Sequence, residues 1–514
     1  MDGSYSNFLV RFTLLFVLTI VVLLKKRRPR HNAKQRPPGP PAWPIIGNIF
    51  DLGGNPHQNL YKLRFKYGPV LWLRLGCINT LVIQSTKAAE ELFKRHDISF
   101  SDRKVPQSFT AHNFNKASLA LGQYDSHWRF HRRFVTLELM TKKRVHETAA
   151  IRQKCIDNMI RYIEDDASAA RARGESGELV ISHHVFVLSF NLIGNLVLSR
   201  DLLNSHSEEG TKFFDAMGKA MEWGGKPNLA DFLPLLHPFD PQRVKKNMKQ
   251  YLGQTIDIVE RFVKQSIEEK KLMKERETRD FLDALLEFKG GAKEEPDAIS
   301  THDMLIIILE IFFGGTETTS GTLEWAMTEL FRSPESMRRV KEELNQVIGP
   351  EKKVVESDID QLPYLQAVIK EAMRLHPVVP LLIPRNTKED TTFMGYFIRK
   401  DTQVFVNAWA IGRDPDAWED PLSFKPERFL GSNIDYKGQN FELLPFGSGR
   451  RICVGIPLAH RVLHLALASL LHCFDWELGS NSTPESIDMN ERLGITVRKL
   501  VPMKAIPKKK ILQD

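Results

Sequence analysis

Cys453 stands between the cations Arg450 and Arg451 and the glycine Gly455, in the stretch Pro445-Phe446-Gly447-Ser448-Gly449-Arg450-Arg451-Ile452-Cys453-Val454-Gly455. An apolar-periodic run over 456–474 follows at once and reads as a helix. The sulfur therefore lies in a glycine-bent loop at a helix N-terminus. The helix dipole, the free N–H groups of the first turn and the two arginines all favour thiolate over thiol. Gly449 and Gly455 are expected to let the backbone turn with positive φ and to let something flat approach the sulfur. A thiolate in such a loop is a nucleophile or a metal ligand; the bland alternative is a small buried cysteine in a turn.

A second constellation sits in the middle of an apolar helical stretch, Glu310-Ile311-Phe312-Phe313-Gly314-Gly315-Thr316-Glu317-Thr318-Thr319. Two glycines inside a helix cost roughly 1 kcal/mol each against alanine. Their missing side chains are expected to open a gap over something flat. A hydroxyl bonding back to its own helix, together with the glycine pair, favours a bend. Thr318 and the adjacent Glu317 then stand ready to pass protons into the gap; a threonine-rich kink with a solvated glutamate is the alternative.

Three weaker patterns accompany these. Trp128 and Arg132 are four apart on a helical stretch, so an indole N–H and a guanidinium share a face suited to a carboxylate, or simply pack together. Glu371 and Arg374 lie three apart on a helix that stops before Pro377; such pairs usually contribute about 0.2–0.5 kcal/mol on a solvated face. Arg428 in Pro426-Glu427-Arg428-Phe429 and Arg385 after Pro384 are further isolated cations.

The spacing F-x-x-G-x-R-x-C-x-G, complete in Phe446, Gly449, Arg451, Cys453 and Gly455, resembles the haem-thiolate loop of the cytochrome P450 superfamily. The pattern [AG]-G-x-[DE]-T-[TS], met by Gly314, Gly315, Glu317, Thr318 and Thr319, resembles that family's oxygen-binding groove. The resemblance implies haem b with Cys453 as the axial iron ligand, donating electron density that favours O–O cleavage. It implies Glu317 and Thr318 as the proton-delivering pair, and Trp128, Arg132 and, by a weaker pattern, Arg385 as propionate contacts. It also implies a buried triad of Glu371, Arg374 and Arg428 that locks the cysteine loop. The substrate pocket would draw on Phe109, Phe114, Trp223, Phe312, Phe313, Gly314, Val378, Val379, Leu381 and Ile495, predominantly apolar positions that suit a small hydrophobic substrate.

The elements that must hold these residues read as mostly helical. Helices are expected over 88–94, 126–139, 143–165, 185–198, 245–274, 300–332, 335–348 and 365–375. Alternating apolar residues over 70–83 predict a β-hairpin, and 391–406 a second strand-turn-strand with Lys400-Asp401 at its turn. The expected fold class is mainly α with a small β-sheet region. With 514 residues, 42% of them hydrophobic, the chain can bury a large core. No Gly/Ser-rich linker or internal repeat divides it, so 45–514 is read as one catalytic domain. Residues 8–24 are almost wholly apolar and a basic cluster follows, which predicts an uncleaved transmembrane anchor within 1–24 and a cytosolic remainder. Residues 25–44, basic and then proline-rich, read as a hinge. The net charge of +9, concentrated at the ends, favours an anionic membrane or an acidic partner, and no nucleic-acid motif is present. The four cysteines are widely spaced, arguing against a zinc knuckle or a disulfide framework.

Taken with the resemblance, these readings imply a monooxygenase of the endoplasmic reticulum membrane. There is no G-x-G-x-x-G fingerprint, so electrons must come from outside, by analogy from NADPH-cytochrome P450 reductase. Arg133, Lys142 and Lys143 are candidate docking cations. Pro-Pro-Gly-Pro near the start and Phe-Gly-Ser-Gly-Arg-Arg at the loop resemble the plant microsomal class. The segment 228–234 resembles the group of geraniol hydroxylases, iridoid oxidases and diterpenoid hydroxylases, which implies a terpenoid substrate. A phenolic substrate, a haem-thiolate isomerase or dehydratase, and a non-catalytic haem protein are the competing readings.

Overall fold

The computed structural model describes residues 36–203, 208–272, 279–291, 295–479 and 482–510. The expected anchor and the basic half of the hinge lie outside them. The proline-rich remainder is docked on the domain: the Trp72 N–H donates to the Pro38 carbonyl at 2.9 Å, and the Asn48 side chain donates to the Pro40 and Pro41 carbonyls at 3.3 and 3.4 Å. Gly39 permits this approach, because a Cβ there would meet the Trp72 carbonyl oxygen at 1.9 Å.

Alternation gives the expected hairpin, Val70–Leu75 antiparallel to Ile78–Ile83, with Gly76 at φ +59° in the turn. The second hairpin differs from expectation. Thr391–Phe393 returns through Met394-Gly395 to Tyr396–Ile398, both turn residues having positive φ, as a tight hairpin turn requires. Gln403–Val406 leaves that pair. It is buried throughout and lies parallel to Ile78–Ile83, extending a five-stranded sheet through Arg385–Asn386 to Asp102–Arg103. A strand covered on both faces gains more by joining the large sheet than by closing a small hairpin.

The rest is helical. Most expected helices form within a few residues of their predicted ends, while Pro56–Tyr67, Glu208–Gly225 and Phe281–Glu287 were not anticipated. The helix expected over 126–139 is α-helical only over Ser126–Val135 and then widens into a π turn, Thr136–Met140. The helix expected over 143–165 is two, Lys142–Glu147 and Ala149–Ala172. The Thr148 hydroxyl donates to the carbonyls of Arg144 and Val145 and helps end the first.

Among the described residues three helices, Ile181–Leu198, Thr301–Arg332 and Ile456–Cys473, are long and apolar enough to cross a membrane, yet their most apolar windows are 78, 72 and 72% buried within the fold. They are core helices. Thr301–Arg332 runs through the middle, packed on Ile181–Leu198 and Ile456–Cys473.

Glu371 and Arg374 do not sit on a solvated face. The Arg374 guanidinium makes two 2.7 Å bonds to the Glu371 carboxylate with both side chains fully buried, and Arg428 Nε adds a third at 3.0 Å. The two arginines also donate to carbonyls of Gly412, Glu419, Asp420, Pro421 and Ser423. Their bonds therefore clamp 412–423, upstream of the cysteine loop, rather than gripping the loop itself.

Candidate active site

The cysteine loop turns where glycine permits it. Gly447 and Gly449 have φ of +68° and +69°, and a Cβ on Gly449 would strike the Asp97 carboxylate at 2.4 Å. Gly455 does not need positive φ: it sits at −78°, and its N–H donates to Cys453 Sγ at 3.3 Å. There the small residue allows close approach to sulfur, since a Cβ would lie 3.6 Å from it. The Cys453 N–H is tied to the Phe446 carbonyl at 3.0 Å, which points the thiol into an internal cavity of about 320 Å³.

The cations beside the sulfur are not the expected ones. Arg450 is turned to Asp97 and Tyr124. Arg451 donates to the carbonyls of Ser101, Leu119 and Gly122 and lies 4.0 Å over the Trp128 ring. Arg132 supplies the charge that favours the thiolate; burial outweighs it and pushes the Cys453 thiol up. The Gly455 N–H, bonded to the sulfur, favours the anion as well.

Arg103, Arg132, Arg385 and Arg451 converge on the cavity. Burial, then repulsion among these cations, holds the Arg103 and Arg451 guanidinia low, Arg451 at about 10. Arg385 is anchored by Asp97 at 2.9 Å and by the Ser448 carbonyl at 2.9 Å. The Arg132 guanidinium has no hydrogen-bond acceptor among the described residues and stacks loosely on Trp128 at 5.9 Å. Trp128 is a platform rather than a cavity donor, for its indole N–H is taken by the Leu119 carbonyl at 2.9 Å. Arg103 and Asp97 escaped the sequence reading because neither belongs to a recognisable spacing.

Opposite the sulfur lies Thr301–Arg332. A Cβ on Gly314 would meet nothing within 4 Å, so this glycine opens the cavity. Gly315 has another purpose, since its Cβ would lie 2.9 Å from Ile193 Cδ1 on the neighbouring helix. The Thr318 hydroxyl lines the cavity and donates to the Gly314 carbonyl at 2.6 Å. Glu317 does not line it. Successive helical residues diverge by about 100°, and the Glu317 carboxylate is turned to Arg498, with which it forms an ion pair, and to the Thr496 hydroxyl at 2.9 Å. Glu310, one turn before Gly314, borders the cavity and accepts from the Ser118 hydroxyl and the backbone N–H groups of Leu119 and Ala120.

Of the proposed pocket residues, Gly314, Val378 and Val379 line the cavity, joined by Leu192, Ile193 and Ile311. Phe109, Phe114 and Phe313 stack in a row beyond it, at centroid distances of 5.7 and 6.3 Å, and Phe109 and Ile495 both abut Gly224. Trp223 lies under the Lys226 ammonium at 3.6 Å. Phe312 points into the core between Phe190 and Phe213, 5.2 Å from each, and Leu381 packs beneath the sheet. Periodicity alone could not tell these core positions from lining ones.

A sulfur and a helix opened at Gly314 on the same cavity, with four arginines converging on it, fit haem, a flat group with a metal centre and two carboxylates. The half-buried Arg132 guanidinium, lining the cavity with no acceptor among the described residues, is the sharpest mark of that fit.

The cytochrome P450 family profile matches residues 37–503. The chain is 53% identical over 496 residues to an iridoid oxidase of Catharanthus roseus, covering 96% of each sequence. It is 41% identical over 496 residues to a geraniol 8-hydroxylase of the same plant, covering 96% of this chain and 98% of that one. It is 40% identical over 497 residues to a drimenol monooxygenase of Persicaria hydropiper, covering 96% of this chain and 97% of that one. Among solved structures, a zebra fish cytochrome P450 determined with progesterone superposes with a TM-score of 0.75 at 28% identity, covering 88% of this chain and 99% of that one. Fold, cavity chemistry and these matches agree: the chain belongs to the cytochrome P450 family and is an oxygen-incorporating oxidoreductase that uses thiolate-ligated haem.

Proposed function

We propose that this enzyme hydroxylates or otherwise oxidises a small terpenoid of plant specialised metabolism. The carrying observation is the wall opposite Cys453, where Leu192, Ile193, Ile311, Val378 and Val379 surround the opening at Gly314. Such a surface holds a hydrocarbon skeleton by burial and offers a polar head few partners. The relatives, iridoid oxidase, geraniol 8-hydroxylase and drimenol monooxygenase, support the same substrate class.

When bound, haem would supply the activation of O2, and Cys453 would hold its iron. The chain does the rest. Arg132, Arg385, Arg451 and Arg103 would hold the carboxylates of the bound group. Gly314 leaves room in the cavity. The Thr318 hydroxyl, resting on the Gly314 carbonyl in the cavity wall, would be the group that passes protons to the bound oxygen. Glu317 would serve as proton source only after exchanging Arg498 and Thr496 for solvent or for Thr318.

Electrons come from NADPH-cytochrome P450 reductase, with the exposed Lys142 and Lys143 as docking cations; Arg133 is engaged with Glu295. The enzyme is held on the endoplasmic reticulum membrane by 1–24. An apolar surface supports this placement. Exposed Trp43, Ile45 and Phe50 flank a segment bonded through Ile46 to Gly76, and the Cys77 N–H bonds Phe232, beside exposed Leu235 and Phe239. Microsomes containing the enzyme and reductase should oxidise monoterpene or sesquiterpene alcohols in an NADPH-dependent way. Turnover of flavonoids or benzylisoquinolines with none of terpenoids would transfer the assignment to the phenolic class.

A further inference from the structure

The helix Ser126–Val135 presents two histidines one turn apart, His127 and His131, to the first turn of Thr301–Arg332, where Asp303 stands. Both Nε2 atoms face the same carboxylate oxygen, Asp303 Oδ2, at 3.6 and 3.8 Å. These separations are too long for hydrogen bonds. They approach the spacing of about 3.3 Å between ligand atoms that share a tetrahedral ion with bonds of about 2.0–2.1 Å. One donor atom from each residue lies within 4.8 Å of the others.

An independent observation points into the same space. His131 is 1% exposed, and neither of its ring nitrogens has a hydrogen-bond partner of good geometry among the described residues. An imidazole buried with both nitrogens unsatisfied is uncommon and costly. Asp303 is also prepared. Its Oδ1 lies 3.3 Å from His302 Nδ1, while His302 Nε2 donates to the His112 carbonyl at 2.8 Å. The His302 ring, fixed by the His112 carbonyl, lies beside Oδ1, and Oδ2 is the oxygen that faces the two histidines.

We propose that His127, His131 and Asp303 form a binding site for a divalent transition-metal cation, Zn²⁺ by its imidazole-carboxylate chemistry, separate from the haem. A water completes the tetrahedron on the His127 side, where that residue is 43% exposed. The ion ties the helix that carries Arg132 to the start of the helix that carries Gly314.

The test uses the full-length, haem-loaded protein in detergent, dialysed against buffered Zn²⁺, with metal per chain counted by elemental analysis and its ligands read by zinc-edge X-ray absorption. One tightly held Zn²⁺ per chain with imidazole in its shell is expected. H127A and D303N, at the more open end of the site, should each weaken binding at least ten-fold while the Soret band of the reduced, carbon-monoxide-treated protein stays unchanged. The proposal is overturned by a wild-type protein that holds no stoichiometric Zn²⁺, by variants that keep wild-type affinity, or by sulfur scattering at the edge, which would place the ion on a cysteine such as the exposed Cys77.

Discussion

On the Cys453 side of the cavity, the bonds that set the sulfur within 445–455 are local, Cys453 to Phe446 and Gly455 to sulfur with Gly447 and Gly449 at positive φ, while the Arg450 and Arg451 side chains tie the loop to distant residues. On the opposite side the wall is assembled from Gly314 and Thr318 on one helix, Ile193 on a second, and Val378 and Val379 on a loop. The contrast teaches that the ligand side is specified by neighbours in the chain, whereas the substrate side is specified by packing between distant elements. The first should tolerate little change and report it as loss of the cofactor. The second should tolerate change and report it as altered coupling or selectivity.

The largest expected effect breaks the ligand side. Cys453→Ala should abolish the red-shifted Soret band of the reduced, carbon-monoxide-treated protein, and NADPH-dependent product formation with it. Glu371→Ala comes next, because it leaves two arginines without their buried counter-charge, at a cost of roughly 3–5 kcal/mol; urea unfolding should show it, together with a low yield of haem-loaded protein. A stability near wild type would mean that the carbonyls of 412–423 suffice for both guanidinia.

On the other wall, Thr318→Ala should leave haem binding intact and raise the peroxide released per NADPH several-fold. Unchanged coupling would remove Thr318 from proton delivery. The smallest effects separate the two glycines. Gly314→Ala should gain up to about 1 kcal/mol of helix propensity and narrow the substrate range. Gly315→Ala should lose about 1 kcal/mol or more, because Ile193 must move; thermal melts of the two variants should shift in opposite directions.

The spacing around Cys453 was legible because its constraints are local, and so was the positive φ of Gly449. The role of Gly455 was misjudged, since small size serves close approach as well as turning. Trp128 and Arg132 were rightly placed one turn apart, but a helix face does not say which donor is already taken; Leu119 claims the indole. Glu317 and Thr318 are adjacent in sequence, and adjacency on a helix sends them apart. The second hairpin failed because Lys400-Asp401 looks like a turn, while the burial of Gln403–Val406 decides its partner.

By itself the sequence determined a sulfur held at a helix start, an oxygen-side helix notched by glycine, and a mainly helical frame, because each depends on spacings of a few residues. Only the tertiary structure decided that Arg132 rather than Arg450 or Arg451 favours the thiolate, that Arg103 joins the rim, that Glu317 is paired with Arg498, and that Phe312 belongs to the core. Charge acts through space and burial depends on what packs from elsewhere, and neither is written in the order of neighbours along the chain.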